Sequence, residues 1–205
     1  MRSFGAPSGM RCNCRSASCM APAAVSRPVQ KLANMSTTMK SAIAVAAFQA
    51  LAADADAVLP PAQFATGKVQ EFFQNRLDVT EHPYFEGIAD LRVSAHFLIE
   101  RDGTVTQFVS CRDRAWHAGI SQFEGRDTCN DFSLGVELEG TDDQPFTDAQ
   151  YVSLTNLTRQ LLAAYPGITP QRICGHSDIA PGRKTDPGPH FAWTRYFNSV
   201  EKQNT

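Results

Sequence analysis

Gln171-Arg-Ile-Cys-Gly-His-Ser-Asp-Ile-Ala-Pro-Gly-Arg-Lys-Thr-Asp-Pro-Gly-Pro189 runs a short strand, ending at Gly175, straight into a proline-stiffened loop. The loop carries an imidazole, an ammonium and a carboxylate: His176, Lys184 and Asp186. Pro181, Pro187 and Pro189 limit its bending, because each fixes its own φ and restricts the residue before it. An imidazole and a carboxylate can hold Zn²⁺, and an ammonium can meet developing negative charge. Singly, each residue reads as a surface group; held together on a rigid loop they read as a site. A strand that delivers His176 at its carboxyl end also fits an α/β sheet, where sites form at that edge.

Working outward, the elements alternate. Thr66 can cap a helix over 67–77, with Val69, Phe72, Phe73 and Leu77 on one face. His82-Pro-Tyr-Phe85 breaks it. Arg92 to Glu100 reads as a buried strand, Asp102-Gly103 as a hairpin turn, and Val105 to Val109 as the returning strand. Residues 110–132 form a long connection of the kind that is often functional. Ser133 to Glu139 is a strand with Val136 and Leu138 on one face, and Gly135, Glu137 and Glu139 on the other. Thr147-Asp-Ala-Gln150 is a capping box opening a helix to Tyr165. Pro189 stands at the start of a last helix with Trp193, Phe197 and Val200 in register. The expected fold is therefore α/β, one domain with a central mixed sheet flanked by helices.

Composition sets the domain limits. The chain has 205 residues and a net charge of −2, which gives no electrostatic reason to expect nucleic acid or an anionic membrane. No run approaches the roughly 18 apolar residues of a membrane span. All 21 acidic residues lie at or after Asp54, and only Phe4 and Phe48 are aromatic before residue 58. Residues 1–57 thus read as a low-complexity extension, disordered or non-native, because few large apolar groups are there to repay ordering entropy. Residues 58–200 read as the domain, and 201–205 as a tail. Cys12, Cys14 and Cys19 cluster in the extension without a second pair at finger spacing. Cys111, Cys129 and Cys174 read as buried free thiols. Residues 1–38 have transit-peptide composition, and 39–53 resemble a poor export signal.

Among other candidate groups, Glu137 stands in an apolar strand. There a carboxylate must be paired, bind metal or face a cleft, or else look to solvent. A general base beside an activated water would suit it. Lys184 could stabilise an oxyanion or be a surface lysine. His117 could line a groove or pack internally. His96 reads as a core histidine, His82 as structural, and His190 as a helix cap.

Several motifs together resemble the AmpD-type zinc amidases, the anhydro-N-acetylmuramyl-L-alanine amidases of bacterial cell-wall recycling. They are His82-Pro-Tyr-Phe85, Leu91-Arg-Val-Ser-Ala-His96, Arg114-Ala-Trp-His-Ala-Gly119, Cys129-Asn-Asp-Phe-Ser133, Val136-Glu-Leu-Glu-Gly-Thr-Asp142 and the loop from Gly175 to Pro189. The resemblance covers about two thirds of the chain. It implies Zn²⁺ held by His176 and Asp186, Glu137 as general base and Lys184 as oxyanion stabiliser. It further implies Arg92 as partner of a stem-peptide carboxylate and Trp116 as groove wall. The implied substrate is an anhydromuropeptide, cut between the lactyl group and L-alanine in the cytoplasm by a monomer.

The pattern departs at two places. The family's third ligand is a histidine ending the first central strand, four residues before a Leu-Pro-Pro. Here that position is Ala55, and the apolar strand expected before it is absent. The basic residue before Cys-Asn-Asp is Thr128. Three explanations are open for the missing histidine. The recorded amino terminus is an artefact upstream of Val58, or the chain is a muropeptide-binding pseudoenzyme, or Asp54, Asp56 or His96 substitutes. The first is favoured by the abrupt change in composition.

Overall fold

A computed structural model of the chain describes residues 40–48 and 64–202. The chain's first described element corrects an expectation. Ala42–Phe48 is a strand, β1, although it lies inside the segment read as an extension and was expected to be absent. Alanine is a weak strand former in isolation. Here Ile43 and its neighbours are stabilised by burial between two other strands.

Those neighbours are β6 (Ser133–Glu139) and β7 (Ile173–Gly175), both parallel to β1. β2 (Phe97–Ile99) runs parallel to β6 on its other side, and β3 (Val105–Gln107) closes the edge antiparallel to β2. The five-stranded order is β3-β2-β6-β1-β7, a mixed sheet as expected. All seven residues of β6 are buried, as befits an interior strand covered on both faces.

Two faces of the sheet are covered differently. Ile43, Phe97, Ile99, Leu134, Val136, Leu138 and Ile173 form the main core with α2 (Asp148–Ala164) and α4 (Trp193–Glu201). Thr147 and Gln150 cap α2 reciprocally, as the sequence requires. On the opposite face Leu98 packs with Val69, Phe72 and Phe73 of α1 (Lys68–Phe73) and with Phe85 and Ile88. A third cluster joins Ala44, Ala118, Cys129, Phe132, Cys174 and Ile179.

Other boundaries shift for physical reasons. Helix α1 stops at Phe73 rather than continuing to Leu77; its N-cap residue is Gly67, and Thr66 Oγ1 accepts the Lys68 N–H at 3.4 Å. The strand expected over 92–100 pairs in the sheet only from His96. Before it, Ser94 exchanges bonds with Trp116 instead, donating its N–H to the Trp116 carbonyl and accepting the Trp116 N–H on Oγ. The connection 110–132 is not structureless: β4 (Gln122–Phe123) and β5 (Arg126–Asp127) form a hairpin across Glu124 and Gly125, both at positive φ. The last helix starts at Trp193 with Ala192 as cap, so neither Pro189 nor His190 opens it. His82 does prove structural, its Nδ1 accepting the Tyr84 N–H at 3.1 Å.

Candidate active site

Strand register brings the site together. Glu137 on β6 is level with Ala46 on β1, and Gly175 on β7 is level with Val45. His176, the next residue after Gly175, therefore leaves β7 level with Glu137, two strands and roughly 10 Å away. The loop beyond begins with one helical turn, α3 (His176–Ile179), rather than extended chain. It returns so that Ser177 N–H donates to the Asp186 carbonyl at 2.9 Å.

Four of the expected residues meet there. His176 Nδ1 lies 3.1 Å from Asp186 Oδ2, and all of His176, Asp186, Lys184 and Glu137 are buried. Glu137 is only 6% exposed, so the solvent-facing reading of that carboxylate is excluded. Burial, then the nearby charge of Asp186, push its pKa up to about 8 against the pull of Lys184. Burial lowers the pKa of Lys184, opposed first by Asp186 and less by Glu137 and Asp142. Glu139, two residues on, serves the backbone instead, its carboxylate accepting the N–H groups of Ala65 and Arg101.

The donor set can be tested against a metal. His176 Nε2 is 3.2 Å from the Ala118 carbonyl, which leaves Nδ1 turned toward Asp186 Oδ2. An Nδ1 proton or a bound cation would equally join these two groups. Asp186 Oδ1 is buried with no hydrogen-bond partner among the described residues. These two side chains therefore fit metal ligands. A third does not join them: among the described residues no group of three His, Cys, Asp or Glu donors could hold a metal ion. His96 is unavailable as a substitute, because Nδ1 accepts the Gly135 N–H at 3.0 Å and Nε2 donates to the Asp113 carbonyl. Burial takes its pKa down to about 4. Ala55, Asp54 and Asp56 lie outside the described residues. The β1 residue in register with Glu137 is Ala46, which has no donor group. The described residues supply two donors and do not complete a zinc centre.

The two expected substrate-binding residues come from other segments of the chain. Trp116 is 53% exposed with the Arg114 guanidinium 3.9 Å over its ring. Arg92 Nη1 donates to the carbonyls of Ala89 and Leu91. It borders a cavity of about 90 Å³ with Phe72, Leu77 and Val79. Ser94, two residues after Arg92, is joined to the Trp116 backbone by two hydrogen bonds.

Three supporting residues escaped the sequence reading. Arg183 donates to the Ala118 and Ile120 carbonyls, sharing Ala118 with His176. Asn130 accepts the N–H groups of both His117 and Ala118. Asp142 accepts from Thr185. All three lay within or beside the quoted motifs, but nothing in their spacing marks a hydrogen bond. His117 packs internally, its ring over Gly135, and burial, then His96 and His176, keep its pKa well below the ordinary value. A Cβ on Gly135 would stand 2.3 Å from His117 Cγ. Gly135→Ala is therefore expected to lose about 1–3 kcal/mol by overpacking, read as a lower midpoint in denaturant titration.

Comparison with known proteins gives a consistent picture. The family described as N-acetylmuramoyl-L-alanine amidase matches residues 67–189. The 1,6-anhydro-N-acetylmuramyl-L-alanine amidase AmpD of Haemophilus influenzae is 59% identical over 143 residues, 70% of this chain and 78% of the relative. A crystal structure of a selenomethionine AmpD derivative superposes with a TM-score of 0.72 at 47% identity, covering 79% of this chain and 85% of that one. The Escherichia coli amidase AmiD, solved with the substrate anhydro-N-acetylmuramic acid-L-Ala-D-gamma-Glu-L-Lys, gives a TM-score of 0.51 at 34% identity. That match covers 57% of this chain and 51% of AmiD.

Proposed function

Because the chain belongs to the N-acetylmuramoyl-L-alanine amidase family, we propose that it hydrolyses the amide between anhydro-N-acetylmuramic acid and L-alanine in peptidoglycan fragments. The observation that carries this is the convergence of Glu137, Lys184, His176 and Asp186 in one buried cluster. In the reaction, Glu137 takes a proton from the attacking water as its oxygen bonds to the lactyl carbonyl carbon. The ammonium of Lys184 faces the oxyanion that forms. Collapse breaks the C–N bond, and Glu137 returns the proton to the departing L-alanine nitrogen. With a pKa of about 8, the ionised fraction of Glu137 is the form that takes the water proton, and the acid so formed gives it to the nitrogen. Arg92 pairs with a carboxylate of the stem peptide, and Trp116 forms the groove wall. The setting is the recycling of wall fragments in the cytoplasm by a monomer.

His176 and Asp186 are the residues that would contribute to binding zinc, which polarises a carbonyl or activates water where it is bound. Since they do not complete a centre among the described residues, no step above runs through the metal. The same shortfall favours a second reading, a muropeptide-binding protein without turnover. Metal analysis and a hydrolysis assay on an anhydromuramyl tripeptide separate the two. The first reading expects release of the free peptide amine, with zinc recovered from the purified chain. Binding of the tripeptide with no amine released at high protein concentration establishes the second.

A further inference from the structure

The turn that carries Lys184 and Asp186 is gripped from outside by a residue with no role so far. Asp142 follows β6 by three residues, and its Oδ2 accepts a hydrogen bond from Thr185 Oγ1. Thr185 lies between Lys184 and Asp186, and its carbonyl accepts the Gly188 N–H at 3.0 Å, closing the turn. Gly188 has φ +78°, and a Cβ there would stand 2.8 Å from Asp142 Cα. The turn is thus seated against the backbone of Asp142 as well as its side chain. Asp142 Oδ1 is buried without a hydrogen-bond partner among the described residues. An unsatisfied buried acceptor is costly, and such a group in a folded protein calls for an explanation. The charge of Asp142 also reaches Lys184.

We propose that Asp142, acting through Thr185, is a positioning residue that fixes Lys184 and Asp186 relative to Glu137. Glu137 and Asp142 lie on one continuous stretch of chain, β6 and its extension. The hydrogen bond to Thr185 therefore ties the loop to the strand that bears the base. This rests on the amidase reading, and the test separates the two. Partners that orient a reacting group without touching substrate typically cost 10–100-fold when removed. Thr185→Val, nearly isosteric and at an exposed position, is expected to lower kcat by about that factor at unchanged KM, whereas Thr185→Ser keeps the hydroxyl and restores the rate. Asp142→Ala is expected to match Thr185→Val, and the double variant to be no worse than either, because the pair acts as a unit. Asp142→Asn, which keeps an acceptor oxygen, falls between.

Hydrogen exchange at the Gly188 and Ser177 amides reads the same contact without turnover, and is expected to quicken in Thr185→Val and Asp142→Ala. If the wild-type chain proves inactive, the amidase reading falls and exchange decides the positioning role alone. Unchanged exchange in Thr185→Val overturns the proposal. So does an undiminished kcat in Thr185→Val, or a loss confined to KM, which would make Thr185 a substrate contact. Should Asp142→Ala fail to fold, Thr185→Val and Thr185→Ser carry the decision.

Discussion

Glu137→Gln is expected to abolish most hydrolysis while making the metal-free protein more stable at alkaline pH. The two effects share one cause. Glutamine fills the same space but cannot accept a proton, and loss of a general base costs on the order of 10²–10⁴-fold in rate. Stability moves the other way because the carboxylate is buried. Its folded pKa, pushed up to about 8, exceeds the roughly 4.3 of an exposed glutamate. Between those values the folded state holds a proton that the unfolded state has lost, so stability falls as pH rises. The penalty is absent near pH 4 and complete somewhat above pH 8. Wild type and variant should therefore melt alike at pH 4, with the variant the more stable at pH 9. A variant that cleaves substrate at the wild-type rate would remove Glu137 from the mechanism. Equal melting at pH 9 would mean that the folded protein ionises Glu137 as easily as the unfolded chain does.

Ala46→His is expected to have the opposite effect on function. Position 46 on β1 is level with Glu137 on the adjacent β6, and the neighbouring Val45 is level with Gly175, the residue before His176. In the backbone register, position 46 lies on β1 between the strand that bears the base and the strand that leads into His176, and a third donor is lacking among the described residues. Even outer-shell partners change metal affinity by about 10–100-fold. A first ligand should therefore raise zinc affinity by on the order of 100-fold or more, and turnover with it. Calorimetric zinc titration of the two proteins measures this directly. If wild type already binds zinc as tightly as the variant, the third donor comes from residues outside the described ones, and Asp54 and Asp56 become the residues to mutate.

Much of the architecture was legible because side-chain pattern and burial agree. β6 and α2 were readable at nearly their observed limits, one from apolar alternation, the other from its capping box and apolar stripe. β1 was not. Ala42–Phe48 carries little propensity of its own, and its strand state depends on partners 91 and 130 positions away. The β4–β5 hairpin was hidden by its brevity, since two-residue strands have no period to detect. At the site, His176, Lys184 and Asp186 were conspicuous as complementary groups on one stiff loop. The burial of Glu137 was not decided by its strand, because Glu139 shares its face and is buried for another purpose. Supporting contacts such as Arg183 to Ala118 join residues 65 positions apart, and local sequence does not encode such pairings.

The place of β1 in the sheet also has a consequence during synthesis. It is the earliest of the described strands, yet it lies between β6 and β7, the last of them to be made. A ribosome adding about 5–20 residues per second exposes Ala-Ile-Ala-Val-Ala-Ala-Phe, which has no charge, for roughly ten seconds before β7 exists. Until β6 is made the segment has no sheet partner on either side, and until β7 is made one of its edges stays open, the state most prone to wrong pairing. Nascent-chain yield should therefore depend on holdase chaperones at this segment more than on any later part of the sheet. A lysine at an edge of the segment would protect the emerging chain at the expense of the finished sheet.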